Sequence, residues 1–137
     1  MTVTATIQLL EDGRENTILR FVGTIDATPQ GNTVLIDPAT LTDMGPFAGL
    51  KAGNLRVKKV IFAMDDAVSM NLFWDATTPV EFESLEGRDT HDYRDAGGLQ
   101  NNSGVGRTGK ILYAITFNGT APTTSDFAIS LYLGKQT

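Results

Sequence analysis

Apolar residues recur at every second position over most of this chain, and no long segment carries the three-and-four spacing of a helix. From Thr2 to Leu9, Val3, Ala5, Ile7 and Leu9 alternate with Thr2, Thr4, Thr6 and Gln8. Successive side chains of a strand point to opposite faces, so this pattern describes a half-buried strand with one apolar and one Thr-rich face. Asn16–Asp26 follows, with Ile18, Arg20 and Val22 on one parity and Leu19 and Phe21 on the other. Thr33–Ile36 is a short strand closed by Asp37-Pro38. Leu55–Met64 is a strong β segment whose parity slips between Val57 and Val60, which places a bulge near Lys58-Lys59.

The second half repeats the theme. Val68, Met70, Leu72 and Trp74 share one parity, a clean inward face. Val80, Phe82 and Ser84 alternate with Glu81, Glu83 and Leu85, and Glu81 and Glu83 read as the solvent face of that strand. Ile111, Tyr113, Ile115 and Phe117 form another face, and Phe127, Ile129, Leu131 and Leu133 the last. About eight antiparallel strands without a long helix predict an all-β, single-domain sandwich spanning 1–137. Strand count and long crossings favour a jelly-roll-like form over an immunoglobulin-like one.

Two long loops interrupt the alternation, at about 38–53 and about 86–109. The first holds Pro38, Gly45, Pro46, Gly49 and Gly53 among apolar Leu41, Met44, Phe47 and Leu50. Asp37 is placed to cap a helical turn with Pro38 at its first position. The second begins with the charged run Gly87–Asp95 and continues into Gly97-Gly98-Leu99-Gln100-Asn101-Asn102-Ser103-Gly104. Phe47 and Leu50 in the first loop, and Leu99, Asn101 and Asn102 in the second, are the candidate partner contacts.

Several chemistries are weighed and set aside on the residues themselves. Gly104, Gly106 and Gly109 satisfy G-x-G-x-x-G, but a dinucleotide loop follows a strand and opens a helix, whose free N–H groups hold the pyrophosphate. Here a strand pattern follows, so the run reads as a loop rich in Gly and Asn. His91 is the sole histidine, and no G-x-S-x-G elbow marks a nucleophile. We expect no enzyme, no catalytic residue and no cofactor. Asp89, Asp92 and Asp95, with Thr90 and Asn101 or Asn102, offer oxygen ligands of the kind calcium prefers. Arg88 and Arg94 interleave with them, so surface ion pairs are the simpler reading and no metal is expected. Trp74 is either a carbohydrate platform or a core anchor, and its parity with Leu72 and Met70 favours the core.

With 11 Lys and Arg against 16 Asp and Glu, the net charge of −5 disfavours direct contact with nucleic acid. No apolar run approaches the roughly 20 residues of a membrane-spanning helix. The absence of Cys excludes disulfides and thiolate metal sites. No signal peptide is visible at the N-terminus, so we expect synthesis in a cytoplasm.

Four segments carry a resemblance: Asp37-Pro38-Ala39-Thr40-Leu41, Leu72-Phe73-Trp74-Asp75-Ala76-Thr77, the Gly97–Gly104 run, and Thr108-Gly109-Lys110-Ile111-Leu112. Their order resembles small β-rich structural proteins of tailed double-stranded DNA bacteriophages, the capsid decoration or cement proteins, over about 33–133. The resemblance implies a virion protein, made in the host cytoplasm, on the outer surface of a capsid. It implies the major capsid protein and copies of itself as partners, in a homo-oligomer on the shell, and carries over no active-site residue. A tail, connector or fibre-base component, or a carbohydrate-binding sandwich module, are the alternatives.

Overall fold

The computed structural model describes residues 3–26, 30–44, 50–65, 68–117 and 124–136. Among the described residues nine strands form two antiparallel sheets, one more strand than the alternation predicts. They are β1 (Val3–Asp12), β2 (Asn16–Asp26), β3 (Gln30–Ile36), β4 (Asn54–Met64), β5 (Val68–Trp74), β6 (Val80–Glu86), β7 (Arg88–Asp92), β8 (Ile111–Phe117) and β9 (Thr124–Gln136). The first sheet has the order β1-β2-β9-β4-β7 and the second β3-β8-β5-β6. Two single 3-10 turns, Pro38–Thr40 and Arg94–Ala96, are the helical pieces among the described residues. None is long and apolar enough to cross a membrane.

The sheets close on one apolar core, as expected for a β-sandwich. Leu19, Phe21, Val57, Val60, Phe62, Ile129, Leu131 and Leu133 of the first sheet meet Met70, Leu72, Trp74, Leu85, Ile111 and Ile115 of the second. Phe21 packs against Tyr113 and Phe127 at ring separations of 4.8 and 5.1 Å. Trp74, only 1% exposed, stacks on Phe82 at 4.1 Å. It is a core anchor and offers no platform to a sugar.

The bulge expected near Lys58-Lys59 is present. Val57 pairs with Leu133 and Lys59 with Tyr132, so Lys58 is the extra residue. Inserting one residue reverses parity, which lets Val57 and Val60 both point inward. Asp37 caps the first 3-10 turn as predicted, accepting a 3.0 Å hydrogen bond from Ala39 N.

Three expectations need correction. First, the charged run Gly87–Asp95 contains a strand. Residues 88–92 form β7 against β4, with His91 opposite Val60. At this sheet edge only His91 is half-buried, so no apolar alternation marks the strand. The long second loop therefore starts at Tyr93, not near residue 86.

Second, Glu83 is buried. Glu83 pairs with Leu72 and Glu81 with Phe73, leaving Phe82 as an extra residue. The bulge puts Glu83 on the same inward side as Leu85, while Glu81 stays outside.

Third, β1 is not half-buried. Ile7 and Leu9 face the same way as their core partners Phe21 and Leu19, yet they are 46% and 48% exposed. The first sheet has five strands and the second four, and β1 meets β2 but no other strand to any extent. The fifth strand projects past the layer that would cover it.

Candidate functional site

The turns at the two ends of the sandwich differ in character. At one end β6 passes to β7 through Gly87 alone, whose carbonyl accepts from Met64 N at 2.7 Å. The other end gathers residues 13–15, 37–44, 50–53, 75–79 and 93–110, beside the last residues of β9. The described parts of both long loops lie here, and so do all four segments that carry the resemblance.

These segments are tied to one another. Thr108 Oγ1 donates to Asp75 Oδ2 at 2.7 Å, and Thr108 N to Asp75 O at 3.2 Å. Thr77 N donates to Val105 O at 3.0 Å, and Asp75 N to Lys110 O at 3.0 Å. Gly109 is buried with φ of +84°, and a Cβ there would collide with Gly53 O and approach the Pro38 ring at 3.2 Å. The glycine spacing that mimics a phosphate loop thus seats one loop against another, and the chain leaves it as strand β8.

The sequence-selected residues fare differently. Phe47 lies outside the described residues. Leu50 is 39% exposed, and its carbonyl accepts from Met44 N at 2.7 Å. Leu99 is half-buried against the core, and a two-way backbone pair with Val57 fixes it at 2.7 and 3.1 Å. Asn101 is an internal strut. It donates to Asn54 Oδ1 at 3.1 Å and accepts from Ser103 N and Oγ at 3.0 and 2.6 Å. Arg107 closes this loop on the Ser103 carbonyl. Asn102 is exposed. The structure brings Asn101 to the wall of a groove of about 480 Å³, with Met44, Asn54, Gln100, Arg107, Lys135 and Gln136.

Beside that groove lies a clasp that sequence reading missed. The Lys135 side chain is fully buried, and Nζ donates to Asp12 Oδ1, Gly13 O and Thr42 O at 2.7, 2.6 and 2.7 Å. An ammonium has three N–H donors, so it is saturated. Asp12 Oδ2 accepts in turn from Thr42 N and Oγ1 at 2.9 and 3.0 Å. Burial opposes ionisation of Asp12, but the hydrogen bonds from Lys135 and Thr42 and the ammonium charge outweigh it. Its pKa therefore falls below the ordinary value. The clasp pins the first long loop to the sheet.

A second polar cluster sits at the side of the sandwich, where β6 of one sheet meets β7 of the other. The Glu83 carboxylate accepts from Tyr93 Oη at 3.0 and 2.9 Å and lies 3.2 and 3.1 Å from His91 Nδ1. His91 also meets the Phe62 ring edge-on at 5.0 Å. Burial, the hydrogen bond to Glu83 and its negative charge raise the Tyr93 pKa to about 12. These contacts join β6 of one sheet to β7 and the residue that follows it.

The acidic run around it is spread apart. Asp92 is held by Arg94 Nε at 2.9 Å and Nη2 at 2.6 Å, and these hydrogen bonds lower its pKa to about 2. Asp89 points its Oδ1 at Thr90 N, 2.7 Å away. Among the described residues no three His, Asp or Glu side chains converge on one point. No family model, curated protein or solved structure matches this chain.

Proposed function

We propose that this chain is a virion structural protein that binds the outside of a phage capsid and reinforces it. The observation that carries the reading is the convergence of the four resembling segments on one end of the sandwich. There the described parts of the loops are tied to one another and to the sheets by side-chain and backbone hydrogen bonds, which makes them one continuous surface. A surface of that kind suits adhesion spread over many contacts. Weak contacts repeated over a shell multiply in effect.

The strand pairing supports the finer fold as well. β2 pairs with β9, β3 with β8, β4 with β7 and β5 with β6, a nested set that describes a long hairpin rolled up on itself. A jelly roll has this connectivity, and such sandwiches serve capsid and lectin proteins alike. That step is analogy between folds, so the loop surface carries the functional argument.

Quantitative mass spectrometry of purified virions tests the proposal. The chain is expected at a copy number comparable to that of the major capsid protein, and added back to particles lacking it, it should rebind. Leu50→Asp together with Asn102→Asp should weaken rebinding without unfolding the chain. Absence from virions overturns the reading, and a copy number far below the capsid protein moves the chain to the tail or connector.

A further inference from the structure

The chain is acidic overall, with 16 Asp and Glu against 11 Lys and Arg, yet one groove at the loop end reverses that sign. The space of about 480 Å³ beside Asn101 runs on into a second of about 250 Å³, since Met44, Lys135 and Gln136 line both. Arg56, Lys58 and Arg107 line the joined groove, and Glu15 is the one carboxylate among its described lining residues. Lys135 adds no net charge there, because it is already paired with Asp12.

The three cations are held in place without being neutralised. Among the described residues each meets a neutral acceptor and no carboxylate. Arg56 Nη1 donates to Gly97 O at 2.9 Å, Lys58 Nζ to Asn16 Oδ1 at 2.6 Å and Arg107 Nε to Ser103 O at 3.0 Å. Two glycines make room for the first two. A Cβ at Gly98 would lie 2.5 Å from Arg56 Cγ, and one at Gly134 would lie 2.8 Å from Lys58 Cε. The bulge in β4 turns Lys58 to the outer side that Arg56 shares with its partner Gly134. Arg56 has five N–H groups, and its Nε is buried with no acceptor among the described residues.

We infer that this groove binds an acidic segment of another polypeptide, with its carboxylates against Arg56, Lys58 and Arg107. Hydrogen bonds between ionised partners are stronger than the neutral ones these cations make within the chain. The amides that line the groove favour a polypeptide over a polyphosphate. Asn54, Gln100, Asn101 and Gln136 each carry N–H donors and a carbonyl acceptor, the same pair of groups that a peptide backbone presents. Phosphate oxygens only accept. A nucleic acid would also meet the net −5 of the chain at every side of the groove. The inference rests on the adhesive reading of this surface for the partner being a protein, and it adds that partner's chemistry.

NMR titration of the full chain tests it. The probe is a blocked peptide of alternating Glu and Gly, with its Gln-for-Glu counterpart and an oligothymidylate as the other arms. The acidic peptide should give saturable shifts at the amides of Asn16, Asn54, Arg56 and Gly134. Arg56→Gln together with Lys58→Gln should weaken binding at least about tenfold. Glu15 is exposed, so Glu15→Gln leaves the fold intact and should tighten binding about threefold by removing the opposing carboxylate. Salt raised from about 0.05 to about 0.5 M should weaken the unaltered chain's binding. Equal binding of the Gln peptide, preference for the oligothymidylate, shifts elsewhere, or indifference to Glu15→Gln and to salt overturns the inference. A chain that rebinds particles but ignores the acidic peptide overturns this inference alone. A chain that binds the peptide through these residues yet is absent from virions supports the groove's chemistry and overturns the capsid reading.

Discussion

Glu83 and His91 stand on neighbouring edge strands of opposite sheets, with Nδ1 3.1 Å from Oε2 of a carboxylate only 7% exposed. Tyr93 Oη reaches the same carboxylate. Glu83→Ala leaves the hydroxyl and the ring without their acceptor at a largely buried position. Such losses cost about 2–3 kcal/mol. Glu83→Gln keeps one acceptor oxygen and should cost about 1 kcal/mol. Urea unfolding of the three proteins should rank them in that order, and equal midpoints would mean the cluster holds nothing together.

The same cluster sets an alkaline limit. Tyr93 is pushed to about 12 by burial, the hydrogen bond to Glu83 and its charge, against about 10 in an unfolded chain. The folded state therefore holds this proton longer than the unfolded state does. Its contribution is complete below about pH 10 and is lost as pH rises from about 10 to about 12. Tyr93→Phe should flatten the stability profile in that window relative to the parent, as read by denaturation midpoints.

Asp12 and Lys135 set an acid limit of opposite sign. The folded Asp12 pKa lies below its ordinary value, so the unfolded state binds a proton first as pH falls. Stability is expected to be full above about pH 4 and to decline as pH drops through the folded value. Lys135→Ala removes the cation and strands the Asp12 carboxylate and two carbonyls. Breaking a buried pair on one side costs about 3 kcal/mol or more. Asp12→Asn with Lys135→Met should recover part of that loss, because no lone charge remains. A double variant no better than Lys135→Ala would assign the clasp's worth to packing alone.

Much of this fold was legible because β2, β4, β5, β8 and β9 bury one parity of side chains, and period-two alternation records that burial directly. Trp74 and the Lys58 bulge were readable for the same reason. β7 was not, because an edge strand with one half-buried residue leaves no apolar trace. Glu83 was misread because a bulge at Phe82 reverses parity, and a glutamate looks the same on either side of it. Exposure of β1 depends on the width of the opposite sheet, which no local pattern encodes. Lys135 carried a signal that went unused: it continues the inward parity of Leu131 and Leu133, which a solvated lysine would not. At the candidate surface, Asn101 and Leu99 were singled out as contacts, but their partners Asn54 and Val57 lie more than forty residues away in the chain.

Gly109 and Gly87 allow the loop platform to be separated from simple turn strain. Both have positive φ, +84° and +70°, which an L side chain adopts at a cost of about 1–2 kcal/mol. At Gly87 a Cβ meets nothing within 4 Å, so Gly87→Ala should lose about that amount. At Gly109 the Cβ runs into the Gly53 carbonyl, which is backbone and cannot swing aside. Gly109→Ala must therefore push the second long loop off the first, and a loss well beyond that of Gly87→Ala is expected, about 3 kcal/mol or more. The same substitution should loosen the contacts of Thr108 with Asp75 and of Val105 with Thr77. Amide exchange at Asp75, Thr77 and Thr108 should then quicken while exchange in β2 and β9 holds. Equal losses at the two glycines, with exchange at those three amides unmoved, would mean that the loops do not depend on one another.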